Sequence, residues 1–271
     1  MPREISKDWS LCISLAARPS HTGTRFHNFL YDALDLPFLY KAFAPTDIAA
    51  AVQGIRGLPI RGAAVSMPYK AAVIPLIDSL DDSAAKIGAV NTIVNTDGHL
   101  RGFNTDVIAV EELLRELAVA PTASVMLLGS GGMASACAEA IARAGFTDVT
   151  VIARSEDAGN ALAAKYGWQL SATATAHDVI LNATPVGMAH GADAESLPVR
   201  EEFVAAAEVV FDVVAMPAET PLVQVARRLG KRVVTGDRVM ALQAVEQFEL
   251  YTGIRPDADL VAAATAHSRA V

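Results

Sequence analysis

The chain has 271 residues, 52% of them hydrophobic and 19% charged, with a formal net charge of -8. That length buries a substantial core and suits two domains better than one. An acidic balance without a Lys/Arg cluster excludes nucleic acid and anionic membrane surfaces as expected partners, and no apolar run reaches the roughly 18 residues needed to span a bilayer.

The N-terminal stretch MPREISKDWS is polar and mixed in charge, unlike a secretion signal or transit peptide, so a cytoplasmic protein is expected. LCISLAA reads as a strand containing Cys12, and TRFHNFLYDAL as an amphipathic helix with Thr24 as candidate N-cap. FLYKAFA is a strand, and Thr46 is placed to cap the helix DIAAAVQGI. RGAAVSM is a buried strand ending at Pro68. AVNTIVNTDGHLRGFN is a hairpin whose Asp97-Gly98 pair supplies the two-residue turn.

The helix DVIAVEELLREL opens a second alternating series. ASVMLLG, DVTVIAR, HDVILNAT, EVVFDVV and RVVTGD read as strands. MASACAEAIARAG, SEDAGNALAAKYG and TPLVQVARRLG read as helices, the first and last closed by Gly145 and Gly230. Strands rich in Val, Ile and Leu with helices between them imply a parallel sheet covered on both faces. After Gly236 the chain is expected to be helical and to pack back on the first domain, leaving a cleft between the two. Cys12 and Cys137 show no metal spacing and read as small buried apolar residues. With no His/Cys/Asp cluster either, no metal is expected.

LLGSGGMASACAEAI places Gly129, Gly131 and Gly132 between a strand and a helix, with Ala134 at the third small position of G-x-G-x-x-G/A. Such glycines let a pyrophosphate approach the N-H groups and positive dipole end of a helix. They also serve a tight helix-on-sheet turn. The following strand ends in Arg154-Ser155 and not in the acidic residue that holds a ribose 2′-OH, which favours NADP, with NAD possible. Glu156 and Asp157 come next and would repel a phosphate if turned toward it; Arg154 alone is also compatible with a solvated strand-end charge.

SMPYK holds Lys70, the only charge within GAAVSMPYKAAVIPLI. A half-buried lysine is tunable for proton transfer near neutral pH, or it snorkels its head to water. GFNTDV brings Asn104, Thr105 and Asp106 to the junction of hairpin and helix, with Asp106 either a helix cap or a partner for the lysine. Asn91, in GAVNTIV, is the third polar residue at a strand end of this domain.

SMPYK, GAVNTIV, GFNTDV, LLGSGGMA, NATPVGM, FDVVAMPAETPL and TGDRVMALQAVEQFELYTG occur in the order and spacing of the shikimate dehydrogenase family. The resemblance covers almost the whole chain. It implies reversible reduction of 3-dehydroshikimate to shikimate with a nicotinamide cofactor, usually NADPH, on the way to aromatic amino acids. Lys70 and Asp106 match the catalytic pair. Ser66, Asn91 and Gln243 match residues that grip substrate hydroxyls, and Thr105 belongs to the same wall. Gly129, Gly131, Gly132 and Ala134 match the pyrophosphate turn, and Arg154 with Ser155 the adenosine-phosphate contact. Asn182, Ala183 and Thr184 match the strand end beside the cofactor, and Gly236 the glycine near the nicotinamide.

The expected fold class is α/β in two domains: an N-terminal substrate-binding and catalytic domain, 1–106 plus 238–271, and a Rossmann-type doubly wound NADP-binding domain, 107–237. A monomer or homodimer acting on a small molecule is expected. Three departures bear on substrate. Counted back from His27-Asn28 without a gap, the family's Ser-x-Ser carboxylate clamp falls on His21 and Gly23, of which His21 can still donate to a carboxylate; a two-residue shift offers Thr22 or Thr24 instead. The Tyr of D-x-x-Y-x-P is Ala215, and the serine-like place of NATS is Pro185. The chain is therefore expected to be a divergent member acting on shikimate or a related cyclic hydroxy acid such as quinate. A shikimate-binding regulator without turnover is the alternative from another class.

Overall fold

The computed structural model describes residues 5–270, so the first residues of MPREISKDWS and Val271 lie outside it. The chain forms two compact units: residues up to Thr105 together with Ala241 onward, and Asp106–Met240. In the first run β1 (Ser10–Leu15), α1 (Thr22–Ala33), β2 (Phe38–Phe43), α2 (Ile48–Gly57) and β3 (Gly62–Val65). The short β4 (Ser79–Leu80) and α3 (Asp82–Ala85) follow, then the hairpin of β5 (Thr92–Thr96) and β6 (His99–Phe103). The sheet order is β2-β1-β3-β5-β6-β4, with β1 parallel to β2 and β3, and β5 antiparallel to β3 and β6.

Alternation along β1 feeds both faces of this sheet. Ile13 and Leu15 pack with Val52 and Ile55 of α2, whereas Cys12 packs with Phe26, Leu30 and Tyr31 of α1. The Asp97-Gly98 turn has φ of 51° and 89°, as a two-residue hairpin requires. Two caps differ from expectation. Helix α1 already starts at Thr22, where the His21 carbonyl accepts the Arg25 N-H at 2.9 Å, so Thr24 lies inside it. Helix α2 is capped by Asp47 and not Thr46: one carboxylate oxygen, Oδ1, accepts from the Ala49 and Ala50 N-H groups at 2.8 and 3.0 Å. A charged oxygen binds first-turn donors more strongly than a hydroxyl.

Helix α4 (Thr105–Glu116) leads into the second unit, whose chain order is β7 (Val125–Leu128), α5 (Gly132–Arg143), β8 (Val149–Ile152), α6 (Glu156–Tyr166), β9 (Gln169–Ser171) and β10 (Val179–Asn182). It continues through α7 (Glu201–Ala206), β11 (Val209–Asp212), α8 (Pro221–Arg228) and β12 (Arg232–Val234). The sheet order is β12-β11-β10-β7-β8-β9, and every neighbouring pair is parallel. Strands β7, β10 and β11 are buried along their whole length, as a sheet covered on both faces demands. The first strand, β7, lies between β8 and β10, so the winding reverses there. Such a reversal opens a crevice beyond the carboxyl ends of the strands.

Helix α9 (Gly236–Thr252) and α10 (Ala258–Arg269) end the chain. Val245, Phe248 and Tyr251 of α9 and Ala264 of α10 join the core of Cys12, Phe26 and Tyr31 in the first unit. Gly253, at φ 75°, separates the two helices, and Asp257 caps the second. Among the described residues no helix is long and apolar enough to cross a membrane.

Candidate active site

Ser66, Lys70, Asn91 and Thr105 stand near one end of the first unit's sheet. The Val65 N-H, at the end of β3, donates to the Asn91 carbonyl at 2.7 Å, and the Asn91 N-H donates to Phe103 O at the end of β6. Ser66, exposed, follows Val65 and donates its N-H to Leu15 O at 2.9 Å. The Met67–Pro68 peptide is cis, and the turn it opens, running on to Val73, contains half-buried Lys70. The Lys70 carbonyl accepts the Val90 N-H at 2.8 Å, which ties the lysine's backbone to the residue before Asn91.

Asn91 joins this end to α4. Its Oδ1 accepts the Thr105 N-H at 2.8 Å, the Thr105 hydroxyl at 3.2 Å and the Thr92 hydroxyl at 2.9 Å. A backbone N-H can only donate, so the amide's orientation is fixed. Its Nδ2 is buried without a hydrogen-bond partner among the described residues. Asp106, buried, follows Thr105 in the first turn of α4; it is a helical residue and not the cap. Within the second unit Asp106 lies near enough to Cys137 for its charge to add to burial in pushing that thiol up.

His21 and Gln243 are not drawn into these bonds by any contact of their own. His21 is exposed at the start of α1 and makes no side-chain cap bond; Gln243 is half-buried on α9. One turn further along α9, Gln247 instead donates to the Thr92 hydroxyl at 3.0 Å and the Asn91 carbonyl at 3.4 Å. The sequence reading missed it. The available signal was its polar side chain one helical turn from Gln243.

In the second unit Gly129 ends β7 at φ 111°, and a side chain there would come within 3.0 Å of Ala183 O. Only glycine fits this turn and this approach. Gly131 occupies the N-cap of α5 without a side-chain cap bond, Gly132 opens the helix, and a Cβ on either would meet nothing within 4 Å. Ala134 is fully buried. Uncapped N-H groups beside open space suit a dinucleotide pyrophosphate. Arg154 is exposed beyond β8. Ser155 caps α6 by accepting from the Ala158 N-H at 3.4 Å, and Glu156 and Asp157 lie in that helix's first turn.

The ends of β10 and β11 are locked together. Asn182 donates to Asp212 Oδ1 at 3.0 Å and accepts from the Thr184 hydroxyl at 2.6 Å, while the Thr220 hydroxyl donates to Asp212 Oδ2 at 2.6 Å. Burial pushes the Asp212 carboxyl above its usual range against the pull of these donors. The side chains of Asn182 and Thr184 are thus engaged in holding the loop. Gly236 is required by packing: a Cβ there would lie 2.3 Å from the Val214 carbonyl. Among the described residues no group of His, Cys, Asp and Glu could hold a metal ion.

Residues 20–93 match the family model described as Shikimate dehydrogenase substrate binding domain, and residues 111–188 the one described as Shikimate / quinate 5-dehydrogenase. A shikimate dehydrogenase-like protein of Haemophilus influenzae is 46% identical over 267 residues, 98% of either chain. The chain belongs to the shikimate dehydrogenase family. A solved shikimate 5-dehydrogenase-like protein is similar at a TM-score of 0.97 and 46% identity, covering 98% of this chain and 100% of that one. The shikimate 5-dehydrogenase of Thermus thermophilus in complex with NADP(H) and shikimate is similar at 0.84 and 28%, covering 96% and 99%. A Cβ at Gly23 would lie 3.7 Å from the Tyr40 hydroxyl, an ordinary contact. Ala215 is half-buried after β11, and Pro185 is exposed after β10.

Proposed function

We propose that the protein is an oxidoreductase that interconverts 3-dehydroshikimate and shikimate with NADP(H), using Lys70 and Asp106 to handle the proton. A nicotinamide cofactor supplies or removes the hydride when bound. As negative charge builds on the ketone oxygen, protonated Lys70 stabilises it and donates a proton; in the oxidation direction neutral Lys70 is the base. Asp106 orients the lysine and accepts a hydrogen bond from the product hydroxyl. Ser66, Thr105 and Gln243 form the wall for ring hydroxyls, and His21 donates to the carboxylate. Gly129, Gly131, Gly132 and Ala134 cradle the pyrophosphate, with Asn182, Thr184 and Gly236 shaping the backbone around the nicotinamide end. Arg154 pairs with the 2′-phosphate, and Ser155 places it by capping α6.

The observation that carries this reading is Asn91. Its Nδ2 is a buried donor with no acceptor among the described residues, fixed in orientation and joined through backbone to Lys70 and through Thr105 to the start of α4. A buried donor left unmet costs about 1–3 kcal/mol. A ligand hydroxyl supplies the acceptor. Ala215 in place of a phenol favours a second reading, quinate, whose extra hydroxyl needs room.

Purified protein incubated with shikimate or quinate and NADP+ or NAD+, followed by absorbance of the reduced cofactor, tests the proposal. Shikimate with NADP+ is expected to turn over best. Lys70→Ala is expected to lower kcat by roughly 10²–10⁴-fold with cofactor affinity unchanged. Tight shikimate binding without turnover would instead make this a binding protein, and a Lys70→Ala effect confined to KM would make the lysine a binding group.

A further inference from the structure

Gln247 is outside the set of residues matched to the family's site, yet it is buried beneath it. The Asn91 main-chain oxygen, which only accepts, fixes which end of the Gln247 amide faces it: Nε2 donates there at 3.4 Å and to Thr92 Oγ1 at 3.0 Å. A hydroxyl that receives a donor directs its own hydrogen elsewhere. Thr92 Oγ1 directs it to Asn91 Oδ1 at 2.9 Å. The bonds therefore run in one sense, from the Gln247 amide to the Thr92 hydroxyl to the Asn91 carbonyl oxygen. Each donation into that oxygen draws electron density across the amide and makes Nδ2 a stronger donor.

We infer that Gln247 is a positioning residue for ligand recognition, acting through Thr92 to hold and polarise the Asn91 amide. Gln247 touches neither substrate nor cofactor. The inference rests on the reading above in taking a shikimate hydroxyl as the acceptor for Asn91 Nδ2. It adds a determinant on α9 that acts from behind the binding wall.

Gln247→Met keeps the length and removes the donor, and Thr92→Val breaks the same chain at its middle. Each is expected to raise KM for shikimate about tenfold, with kcat changed less than about twofold and the cofactor Kd unchanged. The double variant is expected to be no worse than either single one, because both cut one chain. Gln247→Glu adds a titrating readout. Its buried carboxyl donates to Thr92 only when protonated, so its KM is expected to rise with pH across the ionisation of that carboxyl, a step the native protein lacks. An unchanged KM in both single variants, additive effects, or a Gln247→Glu pH profile parallel to the native one overturns the inference.

A readout without substrate separates this from the reading above. In ¹⁵N-labelled protein the Asn91 side-chain NH₂ signals, assigned by their loss in Asn91→Ala, are expected to shift and exchange faster in Gln247→Met. Signals unchanged by that substitution overturn the inference whatever the substrate is. Absence of shikimate turnover by the native protein, with the signals moved, overturns only the substrate assignment.

Discussion

His27 occupies the centre of the aromatic core in the first unit. Its ring stacks on Tyr40 at 4.4 Å between centroids, with Phe26 at 5.6 Å and Tyr251 at 5.9 Å, and among the described residues neither of its nitrogens makes a well-formed hydrogen bond, the Gln247 amide being no more than a weak neighbour. Burial holds its pKa at about 3 against an ordinary 6.5, and the neighbouring Gln247 amide offsets only part of that. The unfolded chain therefore binds a proton at this position that the folded chain refuses. The contribution is fully present above pH 6.5 and is lost as pH falls from there toward about 3. For one proton the slope is about 1.4 kcal/mol per pH unit. Asp78 and Asp178, held below the usual carboxylate range by their hydrogen bonds, also lose stability on acidification, so the comparison must be with a variant. His27→Leu is expected to show a flatter fall in unfolding free energy between neutral and acid pH, measured by urea titration. Equal slopes in both proteins would show that the histidine protonates while folded.

At the scale of elements, the runs of Val, Ile and Leu marked the long strands and the amphipathic spacing marked the helices, because burial on two faces or one leaves a plain pattern. Short elements left none. Strands β4 and β9 and helix α7 hold 2, 3 and 6 residues, too few for a period to repeat. The caps were misplaced by one and three residues because Asp47 competes with Thr46 and the backbone of His21 closes the first turn before Thr24 can. Nor could the sequence show that Asn182 and Thr184 are engaged with Asp212, since that pairing joins strands 30 residues apart. This junction predicts its own energetics. Asp212→Ala leaves the Asn182, Val214 and Thr220 donors unmet in the buried interior and is expected to cost about 3 kcal/mol in urea unfolding. Asp81→Ala, which breaks an ion pair with half-exposed Arg101, is a control: the exchange of that pair with solvent is worth under about 1 kcal/mol, plus the cap bond to Ser83. Equal losses would mean that the junction is not a buried anchor.

At the scale of the whole molecule, the α/β class and the doubly wound second sheet followed from strands alternating with helices. The sites followed from motifs that stand at strand ends. The residues proposed to meet substrate hydroxyls are, apart from Asp106, in the first unit, whereas Gly129 to Ala134 and Arg154 are in the second. Gln247 escaped notice because its role depends on a helix distant in sequence meeting Asn91 and Thr92, 156 and 155 residues away. This division makes the two ligands separable by hydrogen exchange, which reports local opening unit by unit. A ligand that binds only the folded state suppresses the openings that expose its own site. Shikimate alone is expected to slow exchange in peptides covering Ser66–Lys70, Asn91 and the start of α4, with the Gly129–Ala134 turn unchanged. NADP+ alone is expected to slow exchange at that turn and at Arg154, and to leave Ser66–Lys70 as it was. Arg154→Ala should abolish most of the NADP+ effect near Arg154 while sparing the shikimate effect. Protection by shikimate centred on the glycine turn would move the substrate site to the second unit, and the roles proposed for Asn91 and Lys70 would fall with it.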